Sequence, residues 1–485
     1  MNTLSAFDAH QLVYDLEEKN NLLQFKVDGW CIWPLLRWDF IATLTGQKII
    51  PEKVKWPASY LAQIIFDDLR GLTRIPKAKT LIVTKDLNLR ELDGETFRDI
   101  FFDELLDQMD NYLKVETLHA PTFFPSRRKA HIKSKFSLTL FRKIPALLAA
   151  WLNLGDIADT AKSMSHILAP YVDEERFKFT RLKCEFTQFY LSKHLFGWLL
   201  DRIHPKVIML VNTHGYASLA AAAKERNIQL IELQHGIVFK YHPCYSWTSF
   251  ARHHKRAMPI PDIFLLYGEF WKDVLTENRF WDEELYIVGS PRIDRFRSEA
   301  FPKGNLLKLV VTTQPLVYPS VYCDFFQKFI KLAEGKFDFE ITFKLHMREM
   351  NKDAYQQCFI DVPNVKVVLN NENPSTFELI KTADLHLSIT STCHYEALAL
   401  GTPTLILPFK GLDAMAPLLE NGYSALCESP EKLIDLITKQ QIRPVDPQIS
   451  AYFFKPKAVE NILNLLSSLD SERDHNGNQT TQDSM

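Results

Sequence analysis

The stretch Thr382–Pro408, TADLHLSITSTCHYEALALGTPTLILP, constrains this chain more than any other. Leu385, Leu387 and Ile389 alternate as a short strand, Thr390, Ser391 and Thr392 follow as a hydroxyl cluster, and Cys393 to Leu400 reads as a helix. Gly401 and Pro403 supply the stop signals for that helix, and Thr404 to Leu407 reads as a second strand. A strand that breaks into a hydroxyl-rich helix start gathers free backbone N–H groups, the positive end of the helix dipole and hydroxyl donors at one spot, which suits an anion. Glu396 lies one turn further on, within reach of a sugar or ribose hydroxyl. Taken alone, Ser391 reads first as a plain N-cap. The rest of the chain decides between the two readings.

Similar strand ends recur before this stretch. Thr80 to Thr84 reads as the first buried strand of an α/β domain, followed by a polar loop, Lys85 to Asp99, at the end where open α/β sheets bind ligands. Strands are expected at Val207–Val211, Ile228–Leu233, Asp262–Tyr267 and Tyr286–Val288, with an Ala-rich helix over Ser218–Arg226. Ile228–Leu233 runs into Gln234-His235-Gly236, with His242 close behind, and Tyr286–Val288 runs into Gly289-Ser290-Pro291-Arg292. In the second half, Leu309–Val311 leads to Thr312-Thr313, Phe339–Leu345 to His346-Met347-Arg348-Glu349, and Val365–Leu369 to a capping box at Ser375 and Glu378. In a parallel sheet with right-handed crossovers, the tips carrying Thr312/Thr313, His346/Arg348 and Ser391/Thr392 lie on one edge. Three donor sets there point to a bound mono- or diphosphate.

With 485 residues the chain exceeds one ordinary core, so two domains with extensions are expected. The reading places an aromatic-rich head and linker at 1–65, a Rossmann-like domain at 66–288, a second at 289–445, helices at 446–470 and a disordered tail at 471–485. The head carries Trp30, Trp33 and Trp38, a density that suits packing onto the next domain. Arg127–Trp151 holds seven Lys or Arg and no acid, interleaved with apolar residues; it reads as a basic helix, either solvated or lying on an anionic membrane. A net charge of −2 gives no pull toward nucleic acid. The seven cysteines lack CxxC or zinc spacing and suit a reducing cytosol. The N-terminus shows no signal-peptide pattern, and no apolar run approaches the ~18 residues of a membrane span. A cytoplasmic protein is expected, with peripheral contact to inner-membrane anionic lipid as a further expectation. GxGxxG, Walker, HExxH and DxD motifs are all absent, so no metal or cofactor is expected.

Four segments carry a resemblance: Ile231–Gly236 (IELQHG), Tyr286–Asp294 (YIVGSPRID), Phe343–Glu349 (FKLHMRE) and Ser388–Pro403 (SITSTCHYEALALGTP). Over about 170 residues the chain resembles bacterial GT-B glycosyltransferases of surface-polysaccharide synthesis, in the neighbourhood of capsule, CDP-glycerol polymer and bacterial sialyltransferase enzymes. That resemblance implies two Rossmann-like domains facing a central cleft. It implies that His346 contacts the donor phosphate, although Met347 stands where a KxHP motif has proline. It further implies that Ser391 and Thr392 hold the same phosphate, that Glu396 meets donor hydroxyls, and that His235 faces the cleft.

The function expected is metal-independent transfer of a sugar from a nucleotide donor to a glycan or glycolipid acceptor, a growing surface polysaccharide. Thr312, Thr313, His346, Arg348, Thr390, Ser391, Thr392 and Glu396 are the candidate donor-binding residues. His235 is the first candidate base and His242 the second, with Asp86 and Glu91 behind them. Two alternatives stand beside this: a CDP-glycerol-type phosphotransferase or nucleotide-sugar epimerase on the same fold, and a non-catalytic scaffold in a polysaccharide assembly complex.

Overall fold

The computed structural model describes residues 3–46, 56–85, 90–119, 124–277, 279–298, 306–315, 317–346, 349, 352–370, 372–409 and 412–482. The Asp86 and Arg348 candidates lie outside them. The chain divides into an N-terminal unit (Met1–Arg90, Phe101–Leu266, Trp271–Ile287) and a C-terminal unit (Glu91–Ile100, Tyr267–Phe270, Val288–Met485).

Six parallel strands build the N-terminal unit's main sheet: β1 (Thr80–Lys85), β2 (Tyr112–Thr117), β3 (Val207–Val211), β4 (Gln229–Leu233), β5 (Ile263–Leu266) and β6 (Leu285–Ile287). Their spatial order is β6-β5-β4-β3-β1-β2. β3 and β5 are continuous apolar runs because a parallel sheet is covered on both faces; Leu81, Val83, Ile208, Leu210 and Leu230 pack into one core with helix Phe179–Ile203. The head belongs to this unit. Its helices α1 (Ala6–Lys19) and α2 (Trp33–Leu44) are followed by α3 (Ala58–Leu72).

The basic segment 127–151 is not one helix. It breaks into α4 (Phe124–Arg128) and α5 (Thr139–Ala149). Between them the Lys135 N–H donates to Lys114 O (2.8 Å) and the Leu138 N–H to Glu116 O (2.7 Å), so the chain runs along the open edge of β2 instead of coiling. An edge strand's unpaired backbone groups outcompete a local helix there.

The C-terminal unit repeats the plan with β7 (Leu307–Thr312), β8 (Phe339–Lys344), β9 (Val365–Val368), β10 (Leu385–Ser388), β11 (Thr404–Ile406) and β12 (Ala425–Leu426), all parallel, in the order β9-β8-β7-β10-β11-β12. Its core joins Val311, Phe343 and Leu387 to Phe326 and Phe329 of helix Pro319–Ala333. The expected capping box forms, with Ser375 accepting from the Glu378 N–H and the Glu378 carboxylate from the Ser375 N–H. Two expectations fail. Cys323 and Cys358 are joined as a disulfide with Cα atoms 6.0 Å apart, because the neighbouring helices that carry them face each other. The final helix runs from Ala458 to Gln482, through residues expected to be disordered, since no proline interrupts propagation from its apolar first half. No helix among the described residues is long and apolar enough to cross a membrane.

Candidate functional site

Register fixes which side chains share an edge. In the N-terminal unit Val83 pairs with Leu210, and Val211 with Leu233, so Lys85, Asn212–His214 and Gln234–Gly236 follow at matching heights. Glu232, one residue before the end of β4, is fully buried. It accepts the backbone N–H groups of Asn212 (3.2 Å) and Thr213 (3.1 Å) and the Tyr245 hydroxyl. Burial pushes its carboxyl up, and the hydrogen bonds from Thr213 and Tyr245 oppose that. The Tyr245 oxygen also lies 3.5 Å from His235 Nδ1. With the tyrosine proton committed to Glu232, that contact places a proton on Nδ1 and leaves Nε2 as the basic nitrogen. The surrounding protein mass, then the Lys85 ammonium, lower His235 to about 4; the ring itself is exposed, and water moderates that depression. Lys85 is lowered to about 8, by burial and then by Arg142.

His242 stands differently. Its Nδ1 accepts the Cys244 N–H (3.2 Å), its ring stacks on Tyr245 with centroids 4.4 Å apart, and only 8% of it is exposed. It shapes the turn that presents Tyr245. The head secures the same turn: Glu17 accepts from Trp33 Nε1 (2.7 Å) and Arg37 Nε (2.6 Å), and Arg37 donates to Pro243 O and lies 4.1 Å from the Trp247 ring centroid.

In the C-terminal unit Thr312 pairs with Lys344, and Val311 with Leu387, so the residues after β7, β8 and β10 emerge along one edge. The hydroxyls of Thr312 and Thr313 serve the interior. Thr312 Oγ1 lies 2.9 Å from His386 Nε2, whose Nδ1 lies 2.8 Å from Thr404 Oγ1; His394 Nδ1 reaches the same oxygen at 2.6 Å. This buried network ties β7, β10 and β11 to the helix Cys393–Ala399. Thr313 Oγ1 accepts the His346 N–H (3.0 Å) and donates to Glu349, which also accepts from Tyr355 (2.9 Å). Thr313 thus orients the His346 turn, and both Glu349 oxygens are engaged by protein donors. Lys344 anchors the same edge by donating to the carbonyls of Leu369 (2.8 Å), Glu372 (2.6 Å) and Pro374 (2.8 Å).

Ser391 Oγ accepts the Cys393 N–H (3.2 Å). Helix Cys393–Ala399 has only seven residues, so its dipole is weak. Thr390 and Thr392 are half-buried beside Ser391. Glu396 is half-buried; burial raises its carboxyl, and Arg292 opposes that. Arg292 is gripped by Glu91 through two bonds (3.1 and 2.9 Å) and lies 3.6 Å from the Phe377 ring centroid. Glu91, a candidate base, is therefore an ion-pair partner of this cation. Among the described residues no group of three or more His, Cys, Asp or Glu could hold a metal ion.

No family model matches the chain. No curated protein matches it in sequence either. Solved structures do match it in shape. A UDP-N-acetylglucosamine 2-epimerase superposes with a TM-score of 0.50 at 15% identity, covering 82% of this chain and 97% of that one. The S. aureus MnaA–UDP structure does so with a TM-score of 0.50 at 12% identity, covering 81% and 97%. This is the GT-B fold. Acinetobacter baumannii MurG aligns more loosely, with a TM-score of 0.44 at 11% identity over 80% and 99% of the two chains. At such identities the likeness establishes two Rossmann-like domains and nothing of the chemistry.

The sequence pattern singled out His235, His346 and Ser391–Thr392 but missed Lys85, Glu232, Tyr245 and Arg292. Glu232 had a signal: a carboxylate inside an otherwise apolar parallel strand needs dedicated donors. Arg292 had none, since its partner Glu91 lies 201 residues away in sequence.

Proposed function

We propose that this chain is a metal-independent glycosyltransferase that moves a sugar from a nucleotide-activated donor to a growing, lipid-linked surface polysaccharide. The observation that carries this reading is the in-register edge of the C-terminal unit, where His346 and Ser391–Thr392 follow β8 and β10, the two strands that flank β7. Arg292, held by Glu91, acts electrostatically on Glu396 of the same unit. A departing nucleotide diphosphate gains negative charge, and donors already aimed at it stabilise it more than groups that must reorganise. Ser391, Thr392 and His346 supply those donors, with Arg348 as a further one. Glu396 accepts from donor hydroxyls. In the N-terminal unit, His235 Nε2 takes the acceptor hydroxyl's proton while Glu232 and Tyr245 hold Nδ1.

UDP is the first nucleotide to try, because the S. aureus neighbour was solved with it. A second reading, a nucleotide-sugar epimerase, draws support from the name of the 2-epimerase that shares the fold. Incubating the protein with radiolabelled UDP-sugars, with and without an extract of membrane glycolipids, separates the two. Transfer predicts label in the glycolipid fraction only when extract is present. A changed sugar on intact nucleotide without extract would overturn the transferase reading.

A further inference from the structure

We propose that a cationic pocket in the N-terminal unit seats the phosphate headgroup of an anionic membrane lipid, while the outer faces of α3 and α5 rest in the same bilayer surface. The pocket, about 680 Å³, lies between α3 and residues 127–135. Arg70, Arg74, Arg127, Arg128, Lys133 and Lys135 line it against one acid, Asp67. Arg127 is spent on Glu116 (2.6 Å), with Asp67 at 3.8 Å and Asp68 at 3.9 Å. Arg70, Arg74, Lys133 and Lys135 meet no acid among the described residues, and Ser134 Oγ is buried in the wall without a hydrogen-bond partner. No aromatic side chain lines the pocket, so a nucleobase has nothing to stack on. Its unmatched cations and spare hydroxyl suit phosphate oxygens.

The apolar surroundings select a lipid over a soluble phosphate. Phe66 and Leu69 of α3 are 65% and 54% exposed; Leu147 of α5 and Trp151 just after it are 69% and 89% exposed. The buried sides of both helices are already occupied, by Ile64, Asp68 and Gly71 on α3 and by Phe141, Pro145 and Ala149 on α5. One joint holds the two helices and the pocket together. Asp68 accepts the Ser137 N–H (2.6 Å) and hydroxyl (2.5 Å) at the entry to α5, and Gly71 sits so close to Lys135 and Phe136 that an added Cβ would lie 2.9 Å from each. Cations for headgroup phosphates with large apolar side chains beside them are what an anionic leaflet binds. The inference deepens the lipid-linked side of the proposed function, and its test needs no donor turnover.

The test is co-sedimentation of the full chain with vesicles of phosphatidylcholine alone or with about 30% phosphatidylglycerol. Binding is expected only to the anionic vesicles. Arg74→Gln with Lys133→Gln should weaken it about thirtyfold, from roughly 1 kcal/mol per cation. Leu147→Ser with Trp151→Ser should weaken it at high salt as well, where screening has removed most of the charge contribution. A melting temperature matching the parent shows that each variant is folded. No binding by the parent, or equal binding by the Arg74/Lys133 variant, overturns the proposal. So does saturable binding of inorganic pyrophosphate with no affinity for vesicles, which would make the site one for a soluble anion.

Discussion

A base made of imidazole needs one nitrogen held and the other open. His235 has its Nδ1 facing Tyr245 at 3.5 Å, whereas the Nδ1 of His242 is occupied by the Cys244 N–H. His235→Ala is expected to lower kcat by 10²–10⁴, the usual span for a positioned base. Tyr245→Phe, which removes the orienting oxygen and leaves the ring, should cost less and act on kcat more than on KM. Because His235 is depressed below 6.5 toward about 4, its neutral form survives into acid, so the acid limb of kcat/KM should fall below pH 6.5. The stability sign agrees: a lowered histidine adds stability above its unfolded value that is lost as pH falls through the 6.5 to 4 window. An acid limb at or above pH 6.5 would remove His235 as the base. Sequence alone could name this histidine and rank it ahead of His242 because glycine and glutamine flank it at a strand end; it could not show which nitrogen of each ring is engaged, since that depends on the turn that carries Tyr245.

Among elements, β7, β8 and β10 of the C-terminal unit were legible because each is a short apolar run ending in hydroxyl or basic residues; β12, only two residues long, was not. β2 was not. Its Lys114 and Glu116 break the pattern, and only the structure shows Lys114 paired with Asp103 (2.5 Å) and Glu116 with Arg127. The hairpin strands Arg90–Asp93 and Thr96–Asp99 were read as an open loop; Glu91–Ile100 instead joins the C-terminal unit, where Glu91 and Asp93 hold Arg292 and Arg295. Lys344 shows how a strand-end cation is structural. Burial lowers it to about 8, yet it feeds three carbonyls. Lys344→Met strands those acceptors and should cost about 3 kcal/mol by denaturant unfolding. Lys352→Met, which loses only a partly exposed ion pair to Glu372, should cost under about 1 kcal/mol. Equal losses would mean that Lys344 does no more than a surface cation.

At the scale of the whole molecule, each unit has a separate apolar core: one centred on Leu81, Leu210 and Phe196, the other on Val311, Phe343 and Leu387. Separate cores allow separate unfolding, so calorimetry is expected to resolve two transitions. A ligand stabilises only the state it binds. UDP at 100 times its Kd adds about 2.7 kcal/mol, which for a unit of this size raises its transition by about 5–10 °C. That rise should belong to the C-terminal unit alone. Lys344→Met lowers this unit's transition and so identifies it without ligand. Ser391→Ala with Thr392→Ala should erase the shift while lowering the C-terminal transition by only a few degrees, since losing the Ser391 cap on the Cys393 N–H costs about 1 kcal/mol and the helix start keeps its buried anchor, His394 to Thr404. If UDP moves the other transition, the donor phosphate has been assigned to the wrong half. If the Ser391/Thr392 variant retains the full shift, the anion is held by other groups on that edge, and the hydroxyl cluster is only a cap.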